Sequence, residues 1–332
     1  MIIVTGGAGF IGSNLVAELE KRGAGDIVVC DWLGDEDKWR NISKRGLRDI
    51  VKPENLADYL EKHKSEVECI FHMGAISSTT ERDADLIIEN NFTLSRLLWA
   101  WCAENNVRFI YASSAATYGD GSKGFNDDDT EEKLSSLQPL NPYGWSKHLF
   151  DRRVSRIVSG ESKSSDGVPP QWAGLKFFNV YGPNEYHKND QMSVICKLYP
   201  QVTAGAAAKL FKSPHPDYED GGQLRDFVYV RDCVDVMCWL YDNPNVSGLF
   251  NVGTGKARSF KDLALATFTA ADKEPKINYI DMPQALQGKY QYFTEANMDK
   301  LREAGYSRDF TSLEEGVRDY VQNYMSQDDP YR

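Results

Sequence analysis

The chain has 332 residues, enough for a full core and for a main domain with a smaller appendage. Its 49 acidic and 38 basic side chains give a formal net charge of −11, which argues against a broad nucleic-acid or anionic-membrane surface but leaves room for one local anion pocket. No apolar run approaches the roughly 20 residues of a bilayer-spanning helix. The six scattered cysteines, with no CxxC pair, read as buried free thiols in a reducing cytoplasm rather than as a metal site.

The opening MIIVTGG is already strand and turn, which leaves no room for a signal peptide. IIVT is the first predicted strand, and VTGGAGFIGSNLVAEL then places Gly6, Gly7, Gly9 and Gly12 between it and an amphipathic helix over 11–22. Strand, glycines and helix in that order make a dinucleotide turn. Glycine permits the tight bend and the close approach of a pyrophosphate, and the first N–H groups of the helix face the anion. A second strand, DIVVCD, ends on Asp31, about 20 residues beyond the glycines, where an acid holds the adenosine ribose hydroxyls. Taken alone, Asp31 favours NAD. Lys38 and Lys52 are either ordinary surface charge or groups that reach back to a 2′-phosphate.

A helix over 53–63, a strand CIFHMG, a long helix over 84–105 and a strand RFIYAS continue the alternation. The last strand runs into Ser113 and Ser114, at the end where open α/β sheets bind ligands. His72 reads as a packed residue at a strand end. FNDDDTEEK (125–133) reads as a solvated acidic loop. NPYGWSK then opens a helix over 143–158 with Tyr143 and Lys147 four residues apart, hence on one face. An ammonium beside a phenol favours the phenolate. YxxxK occurs by chance in many helices, but here it follows a dinucleotide turn and a strand ending in Ser–Ser, so catalysis is the better reading. Strand-like GLKFFNV (174–180) extends the sheet. Beyond it, DFVYV with the helix pattern after it, and GLFNVG, add further elements. The expected architecture is α/β: a doubly wound parallel sheet of Rossmann type with a smaller discontinuous α/β substrate domain. The expected division is 1–178 with 225–253 for the dinucleotide, and 179–224 with 254–332 for the substrate.

TGGAGFIG, SSAATYG, NPYGWSK and FFNVYGP together resemble the extended short-chain dehydrogenase/reductase superfamily, the group of nucleotide-sugar epimerases and dehydratases. That resemblance implies catalytic Tyr143 and Lys147 with an assisting Ser114. Dehydratases of the group carry an Asp–Glu pair just after the strand's serine or threonine, because elimination needs an extra acid and base. Here Ala115 and Ala116 stand there, which disfavours dehydration.

Further stretches are similar to one narrow family, the ADP-L-glycero-D-manno-heptose 6-epimerases: GAISSTTERD (74–83), ENNF (89–92), FNVYGPNEYHK (178–188), LRDFVYVRD (224–232), FNVGTGKARSF (250–260) and GKYQYFT (288–294). The resemblance runs from residue 1 to about 325 and implies NADP, kept bound and recycled, with NAD as the alternative. Its cofactor contacts would be the four glycines with Phe10 and Ile11, then Asp31, Trp32, Lys38 and Lys52, then Met73, Gly74, Ala75, Ile76, Ser77 and Asn90 or Asn91, and finally Lys147, Val180 and Lys188. It implies Lys188 as a second acid/base group opposite Tyr143, since a side chain that turns between oxidation and reduction presents its oxygen to different surroundings. On the substrate side it implies Ser114, Asn179, Asp190, Lys197, Leu210, Phe211, Lys212, Ser213, Arg225 and Tyr290. Arg225 suits a diphosphate, although an ion pair with Asp226 or Asp232 competes with that reading. Departures from the family pattern are the long loops at 120–138, 160–172 and 213–223. The implied protein is a cytoplasmic isomerase supplying lipopolysaccharide core precursors, with a nucleotide-sugar substrate and a homo-oligomeric, perhaps pentameric, state. A UDP-hexose 4-epimerase and a non-catalytic dinucleotide sensor are the competing readings.

Overall fold

The computed structural model describes residues 1–162, 164, 166–283 and 291–332. Its strands, in chain order, are β1 (Ile2–Thr5), β2 (Ile27–Cys30), β3 (Asp49–Val51), β4 (Cys69–His72), β5 (Arg108–Ser114), β6 (Trp172–Phe177), β7 (Asn179–Tyr181), β8 (Ala208–Phe211), β9 (Leu224–Tyr229), β10 (Gly248–Val252), β11 (Ala257–Ser259) and β12 (Ile277–Ile280). A seven-stranded sheet runs in the order β10-β6-β5-β4-β1-β2-β3, and every pairing in it is parallel. The strand order reverses between β1 and β4. Crossovers on either side therefore leave a crevice at the carboxyl ends of those strands.

Neighbouring residues of a strand feed opposite cores. Ile2, Val4 and Phe71 pack under the helices Phe10–Lys21 and Val230–Asp242, while Ile3, Ile70 and Phe109 pack against Trp99 and Phe150 on the other face. Burial on both faces is why these strands read as unbroken apolar runs. The six cysteines are buried and unpaired, as expected. No described helix is long and apolar enough to cross a membrane.

The strands and helices expected up to residue 158 fall within two residues of those observed, except that the helix expected over 53–63 opens as the 3₁₀ turn Pro53–Asn55. β3 was not expected, and in the run 125–133, expected as a solvated loop, Phe125 and Asp127 are buried and Glu131 opens a short helix. The long helix over 84–105 is interrupted by a π-turn at Ile88–Thr93. The run GLKFFNV proves to be two strands. β6 stays in the large sheet, and β7 pairs in parallel with β9, which pairs antiparallel with β11 in a second, small sheet. β8 and β12 make a separate parallel pair. By pairing, β9 belongs to the small lobe, and the helix after it packs against Phe10–Lys21 in the large one. We propose that the crossing between lobes near 225 lies at the end of β9, at Tyr229–Val230.

Candidate active site

A cavity of about 400 Å³ opens over the carboxyl ends of β1, β4 and β5. Its floor is the glycine turn. Gly6 has φ +64°, and a Cβ there would lie 2.6 Å from the Cα of Gly74, so only glycine lets β1 and β4 end this close together. The helix Phe10–Lys21 begins at Gly9 with no side-chain cap and no acid in its first turn, which leaves its leading N–H groups for an anion. Gly6, Gly9, Phe10, Ile11 and Gly12 line the cavity, whereas Gly7 faces Val29 in the sheet and serves packing.

Asp31 is buried at the edge of the same space with both oxygens engaged. One accepts the Ala8 N–H of the glycine turn at 3.0 Å, and the other takes Lys38 Nζ at 2.6 Å. Lys38 also donates to the Trp32 carbonyl, so the lysine is aimed at the acid rather than at solvent. Asp31, Trp32 and Lys38 all line the cavity. Lys52 does not. It is exposed just before the turn Pro53–Asn55, and Pro53 takes the place in the wall.

The opposite wall is the start of helix Pro142–Val158. Asn141 caps it by accepting the Gly144 N–H at 2.8 Å, and Pro142 fills a first-turn position where no N–H is needed. A Cβ on Gly144 would come 2.7 Å from the Ala116 carbonyl oxygen, so this glycine lets the helix approach the end of β5. That approach sets Tyr143 and Ser114 on the same stretch of the cavity wall. Burial holds the Tyr143 phenol above its usual range, opposed by the neighbouring Ser114 hydroxyl. Burial also lowers the Lys147 ammonium to about 8, and the charge of Asp151 one turn further along opposes the fall. The protein alone therefore does not ready the phenol for ionisation: desolvation outweighs the effect expected of the lysine.

Met73, Gly74, Ala75, Ile76 and Ser77 follow β4 and line the next wall with Asn90. The π-turn has a purpose here. Asn90 faces the cavity while Asn91, fully buried, accepts the Ile76 N–H (2.8 Å) and donates to the Ile76 carbonyl (3.0 Å) and to Ser146 Oγ (3.0 Å). Asn91 thus ties this loop to the helix of Tyr143. His72 is structural, as expected. Ser95 donates to Asn91 O and therefore accepts from His72 Nε2, so Nδ1 accepts from Thr5 Oγ1, which itself accepts from Gly74 N–H. Burial pushes its imidazole down to about 3, consistent with this neutral form.

Lys188 reaches the cavity from the far side, on the short 3₁₀ turn Tyr186–Gln191. Its ammonium sits 5.1 Å from the centroid of the Phe10 ring. Burial lowers its pKa, with Glu185 acting the other way. Val180 lines the same wall. The cavity also takes in Ser113, read from the sequence as lying at the ligand end of its strand, and Leu94, Phe177, Phe178, His187 and Gln191, which sequence reading did not single out. Of the latter, His187 carried a signal as the neighbour of Lys188; it meets Asn41 at 3.1 Å.

The substrate-side residues are spread wider. Asn179 is exposed on β7. The Asp190 carbonyl accepts from Lys197 Nζ at 2.7 Å, so those two meet each other outside the cavity wall. Leu210 is buried in the small lobe's core, Phe211 is half-buried, Lys212 pairs with Asp281 at 2.9 Å, and Ser213 caps a loop turn through Asp220 and His215. Arg225 is buried on β9, donates to the Leu224 carbonyl and stands over Phe260. Among the described residues, Asp226 accepts from Thr254, Gly255 and Ala296, and Asp232 accepts from Thr311. Tyr290 lies outside the described residues. Among the described residues, no group of three His, Cys, Asp or Glu side chains could hold a metal.

Comparisons with known proteins agree with this geometry. Residues 2–253 match the model of the NAD dependent epimerase/dehydratase family. An ADP-L-glycero-D-manno-heptose-6-epimerase of Nitratidesulfovibrio vulgaris is 55% identical over 100% of both chains, and that of Fusobacterium nucleatum is 50% identical over 100% of both. Among solved structures, the Helicobacter pylori ADP-L-glycero-D-manno-heptose-6-epimerase superposes with a TM-score of 0.78 at 27% identity, covering 97% of this chain and 95% of that one. The Thermus thermophilus UDP-glucose 4-epimerase, solved with NAD, gives 0.76 at 26%, covering 98% and 99%. A turn that only glycine can form, a tyrosine and lysine one helical turn apart over it, and full-length likeness to enzymes of one kind converge: the chain belongs to the NAD dependent epimerase/dehydratase family, in its branch of ADP-L-glycero-D-manno-heptose-6-epimerases.

Proposed function

We propose that the protein interconverts ADP-D-glycero- and ADP-L-glycero-D-manno-heptose by transient oxidation at C6 with bound NADP, serving lipopolysaccharide core synthesis in the cytoplasm. The observation that carries this reading is that Tyr143 and Lys188, on different walls, border one cavity. When bound, the nicotinamide accepts a hydride and returns it. The protein's part is to place the dinucleotide in the glycine cradle, keep water out and move a proton at the substrate oxygen. On one face Tyr143 does this, with Ser114 holding the oxygen and Lys147 supplying positive charge. On the other, Lys188, held over Phe10, serves as second acid/base group. Ala115 and Ala116, in the turn after β5, offer no proton for elimination.

NADP is favoured over NAD by the state of Asp31. A free carboxylate would repel a 2′-phosphate, but here Lys38 neutralises it and stands beside the ribose position. Replacing Lys38 by alanine is expected to weaken NADP binding about tenfold or more while leaving NAD unaffected or improved, since one charge-assisted bond is lost. Equilibrium titration with both dinucleotides checks this, and an unchanged preference would count against the assignment.

The 4-epimerase reading is kept open by the near-equal backbone likeness to the UDP-glucose enzyme. The test is to incubate the protein with ADP-D-glycero-D-manno-heptose and follow the C6 configuration by NMR. Inversion at C6 supports the proposal. A static C6, with turnover of a UDP-hexose at C4, overturns it in favour of the 4-epimerase.

A further inference from the structure

Behind the Tyr143–Lys147 wall lies an ion pair that no catalytic step above uses. Lys176 on β6 is 0% exposed and Asp151 2%. Lys176 Nζ donates to Asp151 Oδ2 at 2.8 Å and to Thr117 Oγ1 at 2.7 Å, and stands 4.9 Å from the Tyr118 ring centroid. Asp151 also accepts from Ser113 Oγ at 2.7 Å and from the Tyr111 hydroxyl at 3.1 Å. Thr117 in turn donates to the carbonyl of Ser114 at 2.7 Å. The pair thus joins β6, both ends of the turn after β5 and the catalytic helix. On that helix Tyr143, Lys147 and Asp151 recur every fourth residue, so they share one face, with the carboxylate deepest.

A fully buried ion pair is costly to desolvate, and an apolar pair of the same volume would hold the fold about as well. Its position suggests why charge is kept. We propose that Asp151, anchored by Lys176, is a positioning residue for the catalytic couple: it holds Lys147 in its charged form from one helical turn away and fixes Ser114 in register with Tyr143. The negative end of the pair lies on the helix, one turn from Lys147, and the positive end lies on β6. The other charged or titratable groups around the pair are Tyr111 on β5, Tyr118, Asp127 and Asp129 from the segment after it, Glu131, and His148 and Arg152 on the helix itself. His72 on β4 also faces Lys147, but burial keeps it neutral. Asp151 is the group whose charge supports the Lys147 ammonium against desolvation.

The inference rests on the reading of Tyr143 and Lys147 as catalytic, and its test does not need the substrate. In holoprotein labelled with ¹³C at lysine Cε, the Lys147 resonance, assigned by its loss in Lys147→Met, is titrated with pH. Asp151→Asn removes the charge but leaves Lys176 unpaired and can unfold the chain. The double variant Asp151→Asn/Lys176→Met removes both charges at similar volume. In the double variant, thermal stability is expected to return to near wild type while the Lys147 midpoint stays about one pH unit lower. A midpoint that recovers along with stability, or never moves, overturns the proposal and leaves a purely structural pair. Asp151→Glu, which keeps the charge, is expected to keep the midpoint. If Tyr143→Phe leaves epimerisation intact, the catalytic reading fails while the titration still reports on Asp151.

Discussion

Tyr143→Phe is expected to lower kcat for epimerisation by about 10²–10⁴-fold, the range for loss of a positioned acid/base group. The change removes one hydroxyl from a half-buried ring, and Ser114 keeps the Ala116 N–H. Cofactor content per chain should therefore be unchanged, because the glycine turn, Asp31, Lys38 and Lys147 are untouched. A wild-type kcat in this variant would remove Tyr143 from the mechanism. The native enzyme should also lose activity as pH rises through about 8, where the Lys147 ammonium gives up its proton. The sign follows from burial, which lowers the pKa of this cation, so the charged form exists below that pH and is lost above it. An oxidised nicotinamide, when bound, would supply the further positive charge that the protein alone lacks.

Much of this was legible in the sequence because it depends on local order. The glycine turn, the acid ending β2, the serines ending β5 and the YxxxK spacing are each short, and strand–helix alternation fixes where they meet. What was illegible depends on long-range pairing. GLKFFNV reads as one strand, yet the chain leaves the large sheet at Phe178 because β7 finds β9, some 50 residues on, as its partner. β3, β8, β11 and β12 have three or four residues each and draw their stability from pairing rather than pattern. The π-turn at Ile88–Thr93 leaves no mark on hydrophobic periodicity, although it separates the roles of Asn90 and Asn91. Lys147 illustrates a different limit. Spacing gives the face it shares with Tyr143, but only burial tells that its own charge is under strain and that Asp151 supports it.

Lys188→Met separates a two-base mechanism from a one-base mechanism. Methionine keeps an apolar chain against Phe10 and removes the amine, so folding should survive, and cofactor content per chain is measured alongside. Epimerisation is expected to fall by about 10²–10⁴-fold, because the ketone formed on one side of the cavity can no longer be protonated on the other. The decisive measurement is single-turnover hydride transfer, read from reduced nicotinamide absorbance, starting from each epimer in turn. With two bases, Lys188→Met still oxidises the epimer whose hydroxyl faces Tyr143 and fails with the other, and Tyr143→Phe shows the opposite choice. With Tyr143 as the sole base, Lys188→Met would oxidise both epimers and Tyr143→Phe neither. The structure favours the crossed pattern for a geometric reason. Tyr143 and Ser114 stand on the β5 side, at the start of the helix Pro142–Val158, whereas Lys188 enters on a separate turn held over Phe10, beyond the glycine cradle. A substrate oxygen that turns between them leaves one group and meets the other.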